Sequence, residues 1–149
     1  MTITVASGAA VTAAALLEAA ALIERSGISG LYVTCSEDHV TISVSPLAGD
    51  ARQRASAAAA LGELVGAGPC RQRNNLTGSP AAWLACAGHA GDAIIEIIAH
   101  LAVRAVPGGT LAAGPGGQQA AIAAGQQLPA GWRWVTDLDG QDAGQREVA

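Results

Sequence analysis

The stretch from Ser79 to Leu101 constrains the fold most, because it joins the strongest apolar run of the chain to a short turn signal. Gly91 and Asp92 lie near its middle, and a two-residue turn that begins with glycine is typical of a β-hairpin. The density of isoleucine after the turn favours a strand, since β-branched residues pack well on a pleated surface. We therefore predict that residues 83–90 pair with residues 93–100 at the centre of a small α+β domain.

Successive side chains of a strand point to opposite faces, so this hairpin would have two different surfaces. One surface is apolar throughout and consists of Leu84, Cys86, Gly88, Ala90, Ala93, Ile95, Ile97 and Ala99. The other consists of Trp83, Ala85, Ala87, His89, Ile94, Glu96, Ile98 and His100. The competing interpretation is a helix from Asp92 to Val106, and periodicity alone does not decide between the two.

Further helices and strands are indicated elsewhere by apolar periodicity and by cap and turn residues. We predict a helix over 9–25, a hairpin over 31–46 that turns at Glu37 and Asp38, a helix from Ala51 to about residue 65 with Asp50 as its N-cap, and a short strand over 70–75. The residues that recur at helical spacing in the first helix are Leu16, Leu17, Ala20 and Ile23. Arg52 and Arg54 lie in the first turn of the second helix, where the helix dipole disfavours cations, so we expect them to be solvated.

These elements predict an α+β fold in the order α-β-β-α-β-β-β, a two-layer sandwich in which two Ala-rich helices cover one face of an antiparallel sheet. Residues 1–106 form the expected core of the domain, and residues 107–117 read as a Gly/Pro-rich linker or loop. Residues 118–138 are predicted to add a short helix and a final strand to the same domain. The polar tail covers residues 139–149.

Charge and lysine content narrow the classes of function. The chain contains no lysine, which excludes Schiff-base, P-loop and kinase-type lysine chemistry. Its net charge of −4 makes a nucleic-acid partner an unfavoured expectation, because such binders need a basic surface. No sequence pattern calls for a cofactor or a metal ion.

The cysteines and the N-terminal region bear on the cellular compartment. Cys35, Cys70 and Cys86 are odd in number and contain no CxxC pair, so we expect free thiols in a reducing cytoplasm. The first apolar stretch has no basic segment before it and is interrupted by Glu18 and Glu24, which predicts neither a signal peptide nor a membrane span.

Four segments give the chain a recognisable layout: residues 28–33, residues 39–44, residues 76–80 with Trp83, and residues 128–134. This layout resembles small proteins of actinobacteria and of their phages or mobile elements, a group with no known activity. The resemblance therefore implies an origin of this kind and no catalytic residues.

Three functions are compatible with the predicted hairpin. The first is a non-enzymatic interaction module, a homodimer or the binder of an unidentified protein, that uses a sheet face with Tyr32, Trp83, Ile94, Ile98, His89 and His100. The second is a metal- or ligand-dependent enzyme that uses His89, Glu96 and His100. The third is a single-strand nucleic-acid accessory protein that uses Arg71, Arg73 and Trp83. The first is the preferred hypothesis, because the chemistry that the other two need rests on few residues.

Overall fold

The computed structural model describes residues 8–75, 79–123 and 125–140. The first seven elements are α1 (Gly8–Ser26), β1 (Leu31–Ser36), β2 (His39–Val44), α2 (Ala51–Leu64), β3 (Arg71–Asn74), β4 (Ala82–Ala90) and β5 (Ala93–Leu101). Four short strands follow: β6 (Ala105–Val106), β7 (Gly109–Ala113), β8 (Gln119–Ile122) and β9 (Arg133–Trp134). The predicted α+β class and the order of the first seven elements are confirmed. Residues 76–78 of the predicted loop and residues 141–149 of the predicted tail lie outside the described ranges.

The first five strands form one sheet in the order β1-β2-β5-β4-β3. Both predicted hairpins are present, β1 with β2 and β4 with β5, and Gly91 occupies the second turn with a φ of 58° that favours glycine. The competing helix from Asp92 to Val106 does not form. The prediction of a wholly antiparallel sheet is wrong at one junction, because β2 and β5 run parallel. That pairing joins the two hairpins into one sheet and makes β5 its central strand.

The helices α1 and α2 cover one face of this sheet. The fully buried side chains of the resulting core include Leu22, Val40, Ile42, Val44, Leu61, Ile95 and Ile97. Helix α1 buries Ala15 and Ala19 beside Leu22, whereas Leu16 and Leu17 of the predicted helical repeat are exposed. Small alanine side chains allow the helix axis to approach the sheet closely. The helix therefore contacts the sheet through these alanines, and the larger leucines next to them in sequence face away from it.

Helix α2 begins as the sequence predicts. The Asp50 carboxylate accepts the Gln53 N–H at 2.8 Å, and the Gln53 side chain accepts the Asp50 N–H at 2.8 Å, which forms a capping box. The expectation of a solvated Arg54 is wrong, because that residue is only 6% exposed. Its guanidinium donates to carbonyl oxygens and to the Asp137 carboxylate, and these contacts outweigh the unfavourable helix dipole.

Strands β6 to β9 form a second sheet, which β3 contacts through the hydrogen bond from the Gln72 side chain to the Trp134 carbonyl oxygen. The predicted linker over 107–117 is wrong in part, since residues 109–113 are β7 and pair with three strands. The predicted helix over 118–127 is wrong as well, since residues 119–122 form β8. The predicted last strand is limited to β9, after which residues 137–140 form a helical turn.

A second, smaller core lies under this second sheet. It contains Ala82, Leu101, Ala112 and Trp134, with Trp132 packed against them. Trp134 is 1% exposed, so its indole closes this end of the molecule. No helix within the described residues is long and apolar enough to cross a membrane.

Candidate interaction surface

The face of the five-stranded sheet that points away from the helices is the candidate functional surface, which we call the open face. Its sixteen strand residues are Tyr32, Thr34, Ser36, His39, Thr41, Ser43, Arg71, Arg73, Trp83, Ala85, Ala87, His89, Ile94, Glu96, Ile98 and His100. The sequence assigns the eight residues of the β4–β5 hairpin to this face correctly. Of the part of the chain that the structure describes, no element packs over it as the helices pack over the opposite face.

Two isoleucines lie at the centre of the open face, one on each side of Glu96 along the central strand. Ile94 and Ile98 lie on β5, the middle strand, and both are half-buried although they belong to neither hydrophobic core. Ile98 is flanked by the small side chains of Ala85 on β4 and Ser43 on β2. Ile94 is flanked instead by two imidazoles, those of His89 and His39. The two isoleucines and Glu96 therefore form a ridge along β5, with a shallow trough on each side of its Glu96–Ile98 part.

Charged and aromatic side chains surround that centre. All three histidines of the chain, His39, His89 and His100, lie on the open face, and the first two are on the same cross-strand row as Ile94. Sequence reasoning placed two of them together and did not join His39 to the set. Alternation along β2 puts the His39 side chain on the other face of the strand from the Val40 side chain. Only the parallel pairing of β2 with β5 brings His39 beside the second hairpin.

The three residues of the enzyme hypothesis are not brought together. His89 pairs with Ile94 and His100 pairs with Trp83, six residues further along β5, which separates the two imidazoles by about 20 Å. Glu96 lies between these positions, opposite Ala87. The described residues contain no cluster of three or more potential metal-ligating side chains. The geometry therefore gives acid–base or metal chemistry at these residues no support.

The three residues of the nucleic-acid hypothesis do lie close together. Arg73 pairs directly with Trp83 across β3 and β4, and Trp83 pairs with His100 across β4 and β5. Arg71 follows on the same face, opposite Ala85. Because directly opposite residues have Cβ atoms about 5 Å apart, this corner is a continuous row of a cation, an indole and an imidazole.

Electrostatics distinguish the centre of the open face from its margins. Among the sixteen strand residues of the open face, the acidic one is Glu96, which is half-buried on the central strand. Arg71 and Arg73 lie on the edge strand β3. The open face is thus less acidic than a protein with a net charge of −4 would suggest.

Two large apolar side chains are more exposed than any on the open face and lie away from it. Leu17 on α1 is 72% exposed, and Leu47 in the segment before α2 is 91% exposed. These two side chains are the alternatives to the open face as points of contact with a partner.

The chain matches no family model, no curated protein and no solved structure.

Proposed function

We propose that this protein is a non-enzymatic interaction module that binds a second copy of itself through the open face. The observation that carries the proposal is the position of Ile94 and Ile98, which lie on either side of Glu96 on the central strand of a sheet face without a covering layer among the described residues. Apolar residues at the centre of a polar-rimmed surface are typical of protein–protein contacts.

The shape of the open face supports a second copy of the chain as the partner. Ala85 lies beside Ile98 and Ala87 lies beside Glu96, so this part of the ridge has a trough of small side chains next to it. The ridge of one copy can therefore fit the trough of the other. Two sheets that pack face to face in this way approach to about 10 Å. Charge supports the same partner, since Glu96 is central and Arg71 and Arg73 are peripheral, so an offset copy sets opposite charges against each other.

The size of the open face sets the expected affinity. Five strands about 4.8 Å apart and four cross-strand rows about 6.8 Å apart give a footprint of about 600 Å² per copy. Stable complexes bury about 800 Å² per partner, and smaller interfaces are weak or transient. We therefore expect a dimer with a dissociation constant on the order of micromolar.

A pair of matched substitutions tests the proposal. Ile98→Glu places a charge on the ridge and should give a monomer by light scattering at a concentration at which the native protein is dimeric. Leu17→Glu makes the same exchange on the exposed surface of α1, on the other side of the sheet, and should leave the dimer intact. Loss of the dimer in Leu17→Glu with retention in Ile98→Glu would place the interface on the helices and refute the proposal.

A second candidate function, binding of single-stranded nucleic acid, is favoured by the row of Arg73, Trp83 and His100. Bases stack on indole rings while arginines follow the phosphates, and such binding weakens as salt rises. Fluorescence anisotropy of a labelled oligothymidine at about 50 mM salt should detect it. Trp83→Ala should then weaken binding, and an absence of binding at low salt would eliminate this candidate.

We place this function in the cytoplasm. Cys35, Cys70 and Cys86 are all free thiols, and persistent free thiols are typical of a reducing compartment.

A further inference from the structure

Two of the three thiols lie side by side under the C-terminal end of α2. Cys70 Sγ donates a hydrogen bond to Cys86 Sγ at 3.3 Å. The register of β3 and β4 pairs Arg71 with Ala85, so its continuation by one residue sets Cys70 directly opposite Cys86. Directly opposite residues in antiparallel strands have Cα atoms about 4.5 to 5.5 Å apart. That separation is within the range of about 4.4 to 6.8 Å that a disulfide spans, so the backbone needs no rearrangement.

The two thiols differ in their access to solvent. Cys86 is 7% exposed and lies against Gly62 of α2. Burial above all, and the closeness of Cys70, raise the pKa of the Cys86 thiol to about 12. Cys70 is half-buried and lines a surface groove of about 480 Å³ with Pro69, Leu84 and Glu63. A small reagent that enters this groove therefore meets Cys70 first.

We propose that Cys70 and Cys86 form a modification site, a dithiol that a peroxide oxidises to a reversible disulfide. Cys70 sulfur attacks the peroxide oxygen, the O–O bond breaks, and with hydrogen peroxide the products are a sulfenic acid and water. Cys86 sulfur then attacks the Cys70 sulfur, the S–O bond breaks, and a second water leaves with the thiol proton. Both sulfur atoms are oxidised and the peroxide is reduced. This site is independent of the proposed self-association.

The groove favours a small, neutral oxidant. The Glu63 carboxylate lies among the lining residues, and its charge disfavours the approach of an anionic disulfide such as oxidised glutathione. The disulfide would join β3, an edge strand of four residues, to β4. Such a bond closes a chain loop that the reduced protein leaves open, so we expect the melting temperature to rise by about 5 to 10 °C on oxidation.

Peptide mapping of a Cys35→Ser variant tests the proposal without interference from the third thiol. Cleavage after arginine separates Cys70 on peptide 55–71 from Cys86 on peptide 74–104. Treatment of the folded variant with hydrogen peroxide should remove about 2 Da, abolish both titratable thiols and link these two peptides. Dithiothreitol should restore both thiols and the original melting temperature.

The control is the same protein with Cys70→Ser in addition, a substitution at the half-buried member of the pair that leaves the buried Cys86 in place. It should keep the Cys86 thiol under the same treatment. The proposal is overturned if the Cys35→Ser protein keeps both thiols, if Cys70 gains two or three oxygens without a link, or if the link forms only between chains.

Discussion

Arg54 shows at the scale of one residue how a side chain that looks out of place in the sequence holds the fold together. Its Nε donates to the His100 carbonyl oxygen at 3.2 Å, and its guanidinium also donates to Gly49 O at 2.9 Å and to Asp137 Oδ2 at 2.7 Å. These partners belong to the first sheet, the segment before α2 and the helical turn after β9. A buried arginine with satisfied donors therefore joins three parts of the molecule.

Replacement of this arginine should be among the most destabilising single changes to a polar residue. Arg54→Met removes the carbonyl contacts and leaves Asp137, whose side chain is 30% exposed, without its cation. Because solvent still reaches that carboxylate, we expect a loss of about 1 to 3 kcal/mol in the free energy of unfolding. Urea unfolding measures the effect. Arg104→Met, at an exposed arginine, should change the free energy of unfolding by less than about 0.5 kcal/mol, and equal effects of the two would contradict the account.

Asp139 makes stability depend on pH at the same scale. Partial burial opposes its ionisation, but hydrogen bonds from Arg133 and from the Thr136 N–H, with the arginine charge, hold the pKa of this carboxyl below 3.8. A lowered pKa in the folded state contributes stability above the unfolded value, and this contribution is lost as pH falls through the folded value. Native protein should therefore exceed Asp139→Asn in stability at pH 7, and the difference should shrink below about pH 4. An unchanged difference at pH 2.5 in urea unfolding would contradict this assignment.

At the scale of elements, the sequence was informative where two local signals agreed. The β4–β5 hairpin has dense isoleucine and a glycine turn, and both its register and its two faces are confirmed. Helix α2 has an apolar stripe and a cap, and it begins at the predicted residue. The buried side of α1 was not predictable, because alanine lies on every side of that helix and close packing selected Ala15 and Ala19 over the larger leucines.

Residues 118–127 show where local preference fails. Alanine and glutamine favour a helix, but a segment this short is marginal as a helix on its own, and pairing of β8 with β7 decides its state. The hairpin of β6 and β7 was missed although Pro107 and Gly108 form a turn between Val106 and Gly109. The parallel pairing of β2 with β5 has no signal in either strand, so the continuous open face could not be derived from the sequence.

Gly88 tests how α2 docks on the first sheet. A Cβ at this residue would lie 2.2 Å from the Val65 carbonyl oxygen, which also accepts the His89 N–H at 3.0 Å. Gly88→Ala should lower the free energy of unfolding by about 1 to 3 kcal/mol, because the end of α2 must move away from β4. Gly68→Ala is the matched control, since nothing lies within 4 Å of its added Cβ. Similar midpoints in chemical denaturation for both variants would show that the contact at Gly88 is not tight.

At the scale of the whole molecule, the protein has two cores on the helix side of its large sheet and a ridge of isoleucine on the other side. Arg71 and Arg73 lie on the edge strand β3, where charged side chains oppose pairing with further strands. Association through the sheet edge is therefore disfavoured there, and association through the open face remains available. Self-association by that face is the central claim of this account.

Sedimentation equilibrium of the native chain over a wide range of concentration tests that claim most directly. The monomer mass is 14.7 kDa, so the account predicts a rise from 14.7 kDa toward twice that value between about 1 and 500 µM. A smooth transition with a midpoint on the order of micromolar is the predicted result. A mass of 14.7 kDa at every concentration up to about 500 µM would contradict it. Such a result would show that the open face does not hold two copies of the chain together.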